Sequence, residues 1–281
     1  MTGLAATAVV TYHRPVPGRV RLDRALSKLG VASRTRAREL IRDGQVTIDG
    51  RVVTTPELGV VPETAAIGVE GRRARRAAWR TVALHKPRGT VTTRHDPQGR
   101  RTVSDVFGRA ADCLVAVGRL DIASTGLLLL TTDTRLAAWL TDPAHAIVRR
   151  YIVTARGEVT DDAVRRMIAG IDGLRALRVG VRKRSQRETH LEIALTEGRN
   201  REIRRLLDAC GHGVTRLLRV AYGGIELGTL QPGTWRSVAR EEVSAAFGPE
   251  CEAWIDRGRP PRPPRAGEKR RRREVLAVGR R

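Results

Sequence analysis

The chain has no stretch that is long and apolar enough to read as a membrane span. Its longest apolar run near either end, LAATAVV at 4–10, has no basic residues before it and is too short for an export signal. A soluble protein of the cytoplasm is the expectation. Cysteine is also scarce. Cys113, Cys210 and Cys251 are odd in number, far apart and without a CxxC pair, which argues against a disulfide framework and a zinc site. They read as ordinary reduced thiols. No internal repeat has a fixed period, and no helix-turn-helix or zinc-finger spacing occurs. Lysine supplies only 4 of the 53 basic residues; the other 49 are arginine.

What the chain has is positive charge, a net +23 over 281 residues. The segment 256–281 carries 11 basic and 3 acidic residues, so +15 remains on the rest. A field spread over the whole body favours a polyanionic partner, with nucleic acid ahead of a membrane surface because no amphipathic anchor is present. The length accommodates two domains, and an apolar fraction of 41% is enough to build their cores.

Residues 1–18 show no period and read as a disordered leader. RLDRALSKLG then puts Leu22, Ala25, Leu26 and Leu29 on one helical face, with Gly30 as the stop. In VASRTRARELIRDG, Ser33 is placed as an N-cap, Ala37, Leu40 and Ile41 face inward, and Gly44 ends the helix. QVTIDGRVV follows, two β-branched runs around Asp49-Gly50, a hairpin signal. Arg34, Arg36, Arg38 and Arg42 fringe the second helix and suit phosphate contacts, although a charge run is as readily a solvated face. This helix–helix–hairpin segment, continuing to about Gly71, resembles the small S-four-like RNA-binding domain. The resemblance implies a module over 19–71 that grips structured RNA through those arginines.

A basic linker is expected at 72–80 and a second domain at 81–246. TVALHKPRGTVTT reads as strand, turn, strand, while CLVAVG and LLLLTT read as buried strands. Thr132 or Asp133 caps a helix, RRYIVTA is a strand, and Thr160 caps DDAVRRMIAG. THLEIALTEG alternates, with Leu191, Ile193 and Leu195 on one face. NREIRRLLDACG is a helix capped by Asn200, with Ile203, Leu206, Leu207 and Cys210 inward; LLRVAYGGIEL and TWRSVA complete the domain. The fold class expected is α+β, a mixed, mostly antiparallel sheet flanked by helices. The Pro/Arg-rich segment 247–281 is too polar to bury a core and reads as a disordered tail.

Within VGRLDIASTGLLLLTTD at 117–133, Asp121 stands where a buried strand gives way to a loop, a place that aims side chains into clefts. It is the one acid in that loop. By itself such a residue is more often a turn or a cap. Tyr151 taken alone is core, and Arg204 a border residue of its helix, while Arg201 and Arg205 point more toward solvent. A border arginine can reach a partly desolvated carboxylate and hold it ionised.

Four blocks in order resemble the RsuA/RluB branch of the pseudouridine synthases: LHKPRGTVTTRHDPQGRRTV, GRLDIASTGLLLLTTD, RRYIV and EGRNREIRRLLDACGHGVTRLLRVAYG. The resemblance covers roughly 19–240. It implies an enzyme that detaches a uracil of ribosomal RNA, turns it and rejoins it through carbon, without cofactor or metal. By the same resemblance Asp121 is the catalytic aspartate, Tyr151 packs on the flipped base, and Arg204 pairs with the aspartate. Arg119, Arg201 and Arg205 are then placed on RNA, and Lys86-Pro87-Arg88-Gly89 forms a structural turn without chemistry. Arg150 and Glu202 depart from the lysine and glutamine frequent in the family, which touches tuning rather than the reaction. RHDPQGRRTV leans toward 23S over 16S RNA, and the family toward a bacterial monomer. A noncatalytic RNA-binding factor that kept the fold, and a general nucleic-acid binder acting through tail and linker, are the rival readings.

Overall fold

The computed structural model describes residues 18–256 apart from 63, 76, 77, 95 and 109–112. The expected leader before Gly18 and the tail beyond Asp256 lie outside the described residues. The chain divides into two compact units, 1–78 and 79–281.

In the first unit, helices Leu22–Lys28 (α1) and Arg34–Arg42 (α2) form where the apolar spacing places them. Leu22, Ala25 and Leu26 of α1 pack with Ala37, Leu40 and Ile41 of α2 in one core. Ser33 caps α2 by accepting the Arg36 N–H at 3.2 Å. The hairpin Val46–Ile48 (β2) and Arg51–Val52 (β3) turns at Asp49 and Gly50, both with positive φ, as a two-residue connection requires. Val20–Arg21 (β1) pairs with Gly59–Val60 (β4). Ile67–Val69 (β5) extends the hairpin sheet, and Arg72–Arg73 (β6) pairs with β5. The unit therefore runs past Gly71: the first residues of the expected linker hydrogen-bond into the sheet.

In the second unit one sheet runs in the order Arg178–Arg184 (β11), Glu188–Leu195 (β12), Arg149–Arg156 (β10), Val214–Tyr222 (β13), Thr125–Thr131 (β9), Thr81–Lys86 (β7) and Trp235–Val238 (β15). Val115–Ala116 (β8) joins β9, and Ile225–Glu226 (β14) joins β13. Among the described residues every strand pairing in this sheet is antiparallel except β13 with β9. Two cores cover its faces, one around Leu128, Tyr151, Val153, Leu191 and Leu206, the other around Leu127, Leu129, Trp139 and Tyr222.

Several boundaries differ from the expected ones. After Lys86 the chain makes no second strand; Val91 meets Thr102 in an isolated bridge, and Val103–Phe107 (α3) follows behind a Thr102–Asp105 capping box. CLVAVG gives only the two-residue β8. Asp133, not Thr132, caps Thr134–Thr141 (α4), and Thr160 caps Asp161–Ala169 (α5) as expected. Arg201, not Asn200, is the N-cap of Glu202–Asp208 (α6); it sits in the left-handed region, and its side chain caps nothing. Instead the Glu202 carboxylate reaches back to accept the Arg199 N–H at 3.1 Å. The second unit does not stop at 246. Arg240–Phe247 (α7) and Pro249–Asp256 (α8) continue it, and Cys251 and Trp254 pack into the second core. The apolar residues Cys251 and Trp254 interrupt what composition alone made look like a polar tail.

Candidate active site

Asp121 is held at the end of a loop fixed from several sides. Its carbonyl accepts the Ser124 N–H at 3.0 Å, closing a tight turn. Leu120, one residue earlier, exchanges two hydrogen bonds with the Thr92 hydroxyl, at 2.8 and 3.2 Å. The Lys86-Pro87-Arg88-Gly89 turn lies beneath it. Gly89 N–H donates to the Ile122 carbonyl at 2.8 Å, and Lys86 Nζ donates to the Ser124 carbonyl at 2.9 Å and the Pro87 carbonyl at 3.0 Å. The turn is thus the clamp of the acid's loop.

Lys86 is fully buried. Burial lowers its pKa to about 8; the Asp121 carboxylate opposes that shift and the Arg219 guanidinium adds to it. Lysine, acid and arginine therefore share one field.

A cavity of about 500 Å³ opens over Asp121. Tyr151, Arg149, Arg219 and Tyr222 line it from β10 and β13, and Arg201 and Arg204 from the start of α6. The Asp121 carboxylate is one-third exposed, and Arg201 Nη1 lies 4.0 Å from it. Arg204 was expected in that place. Its Nη1 donates instead to the Val214 carbonyl at 2.9 Å, and burial, then the Arg201 charge, lower its pKa, while Asp121 opposes them. The left-handed turn at Arg201 starts the helix one residue later than expected and brings this side chain, rather than that of Arg204, to ion-pair distance.

Tyr151 is 7% exposed and enters the cavity from β10. Arg119 is exposed at the rim, whereas Arg205 is exposed but does not line the cavity. A second space of about 510 Å³ is lined by Arg88, Arg156, Arg201 and Arg204, a concentration of donors suited to phosphate.

The four arginines of α2 belong to the first unit and are not equivalent. Arg38 Nε donates to the fully buried Asp23 at 2.8 Å, and Arg36 pairs with Glu39 at 3.2 Å. Arg34 and Arg42 are exposed with no side-chain partner among the described residues.

Three cavity residues were not anticipated. Arg149 donates to the Thr196 carbonyl at 2.6 Å and to the Tyr222 hydroxyl at 2.9 Å. Tyr222 in turn donates to the Leu140 carbonyl at 2.6 Å. The guanidinium carbons of Arg149 and Arg219 lie 4.8 and 5.3 Å from the Tyr222 ring centre. The one available signal was arginine inside otherwise apolar strands, as in LLRVAY. Among the described residues no cluster of three or more His, Cys, Asp or Glu could hold a metal, and no helix is long and apolar enough to cross a membrane.

The chain as a whole is similar to known proteins. The RNA pseudouridylate synthase family matches residues 80–209, and the S4 domain matches 20–64. The chain is 35% identical to ribosomal large subunit pseudouridine synthase B of Vibrio cholerae, over 80% of this chain and 73% of the relative. It is also 35% identical to the protein of the same name in Bacillus subtilis, over 79% of this chain and 93% of the relative. A crystal structure of a pseudouridylate synthase superposes with a TM-score of 0.56 at 26% identity, covering 80% of this chain and 98% of the other.

Proposed function

The chain belongs to the RNA pseudouridylate synthase family, and on that premise we propose that it isomerises one uridine of 23S ribosomal RNA to pseudouridine. The large-subunit substrate rests on the two relatives named for it. The protein acts as a monomer in the cytoplasm, with ribosomal RNA as its partner and the S4 domain adding grip on that RNA. The observation that carries the proposal is Asp121, presented by a braced loop into a cavity that also holds Tyr151.

The chemistry follows from the bond that must break. The target base leaves its stack and enters the cavity, where Tyr151 packs against the ring. Asp121 acts at the ribose, as nucleophile at C1′ or as the base that takes a neighbouring ribose proton. The C1′–N1 electron pair goes to the uracil. The ring turns, C5 bonds to C1′, and the C5 proton is lost while N1 gains one. Arg201 Nη1 stands 4.0 Å from the Asp121 carboxylate that either route uses. Arg119 and the surface arginines hold flanking phosphates.

The test is a pseudouridine map of ribosomal RNA from cells lacking the protein, complemented with wild type or with Asp121→Asn. One 23S site restored by wild type and not by Asp121→Asn is the expected result. A site in 16S RNA would overturn the substrate. Restoration by Asp121→Asn would remove Asp121 from the chemistry. With no site changed, purified protein that binds but does not convert ribosomal RNA would favour a binding factor.

A further inference from the structure

Arg219 is 3% exposed on β13, and no carboxylate lies within ion-pair distance of it among the described residues. Its Nε donates to the Leu127 carbonyl at 2.6 Å, whereas Nη2 is buried with no acceptor among the described residues. Its charged surroundings include another cation, Lys86. A buried cation without a counter-charge is costly, and an apolar residue would fill the position without that cost. The missing acceptor is therefore expected from outside the protein.

The setting limits what that acceptor is. Arg219 lines the same cavity as Asp121, and it stands opposite Tyr151 across the antiparallel β10–β13 pair, so the two side chains share a face. Ser124, 1% exposed, also lines the cavity, and its hydroxyl likewise has no partner among the described residues. The ligand thus meets an aromatic ring, a donor-only guanidinium and a hydroxyl in one cavity. Phosphates have the more exposed arginines of the neighbouring space. A planar base with carbonyl oxygens fits the interior better.

We propose that Arg219 donates a hydrogen bond to a carbonyl oxygen of the flipped uracil and stabilises the anion formed when the ring is detached. The inference rests on the pseudouridine synthase reading. Whichever way Asp121 acts, C1′–N1 breaks with both electrons going to the uracil, whose negative charge spreads over N1 and the carbonyl oxygens. A preorganised donor, itself buried, acts where that charge develops. Arg219 is then a catalytic residue distinct from the pair formed by Asp121 and Arg201.

The experiment uses full-length protein and ribosomal RNA labelled with tritium at uridine C5, prepared from cells lacking the protein. Tritium release in single turnover reads formation of the new carbon–carbon bond. No release by wild type would remove the synthase reading on this RNA, and the inference with it. Given wild-type release, Arg219→Met is expected to slow the bound-state step roughly a hundredfold or more. RNA affinity should change less than about threefold, and the melting temperature should hold or rise, because a buried unpaired charge is gone. Arg219→Lys, which keeps a cation, is expected to recover part of the rate. A wild-type rate in Arg219→Met overturns the proposal. So does a loss that follows RNA affinity, or one that follows unfolding in both variants, since either assigns Arg219 to binding or structure.

Discussion

Gly126 and Arg219 meet backbone to backbone where β9 and β13 run parallel. A β-carbon on Gly126 would sit 2.6 Å from the Arg219 nitrogen and closer still to its carbonyl oxygen, and Gly126 has φ +105°. Neither the space nor the backbone conformation admits a side chain. This contact joins the loop that carries Asp121, just before β9, to the strand that carries Arg219.

Gly126→Ala is therefore expected to lose at least about 2–3 kcal/mol of stability, from steric overlap and a strained φ together. Urea unfolding followed by Trp fluorescence measures it. Unchanged stability would mean that the two strands part readily and that the contact is not rigid.

Lys86 gives a pH signature. Its folded value of about 8 lies below the ordinary 10.5, so between those values the unfolded chain binds the extra proton. Stability from this group rises with pH across that window and is flat on either side. Wild type should gain on the order of 3 kcal/mol over Lys86→Met from pH 8 to 10.5, at about 1.4 kcal/mol per pH unit. Equal slopes for the two proteins in urea titrations would place the ammonium in water.

Arg201 and Arg204 should separate by stability. Arg201 is half exposed and makes one long contact with Asp121, so Arg201→Ala should lower turnover several-fold, by about 1 kcal/mol, and leave unfolding unchanged. Arg204→Ala removes the bond to the Val214 carbonyl and should cost about 1 kcal/mol of stability as well. Turnover lost in Arg204→Ala alone would return the pairing role to that residue.

The arginines of α2 divide in the same way. Burial raises the pKa of Asp23, but hydrogen bonds from Arg38 and Arg21 outweigh it and hold the carboxyl below its ordinary range. Its contribution to stability is present above the ordinary value near 3.8 and is lost as pH falls through the lower folded value. Arg38→Ala should destabilise the first unit by about 1–3 kcal/mol because it strips a buried carboxylate of a donor. Arg34→Ala with Arg42→Ala should leave melting unchanged and weaken RNA binding, with a shallower salt dependence. Filter binding at several salt concentrations reads the second effect, and an unchanged salt slope would exclude both side chains from phosphate contact.

The sequence by itself determined the two units, their order, the inward faces of α1, α2 and β12, and the placing of Asp121 at the mouth of a loop. Each of these is written in local terms: a period of 3.6 or 2, a cap, a turn pair, a run of leucines before a helix. The same local reasoning missed the reach of α8 and of β6, because composition outweighed a few apolar or pairing positions. Tertiary structure alone decided which cation stands beside Asp121, that Lys86 is buried, and that Arg219 faces Tyr151. Those relations depend on strand register and on one left-handed residue at the start of α6. Shifting a register by one residue turns every side chain to the other face, so side chains far apart in the chain meet only once all the strands have chosen their partners.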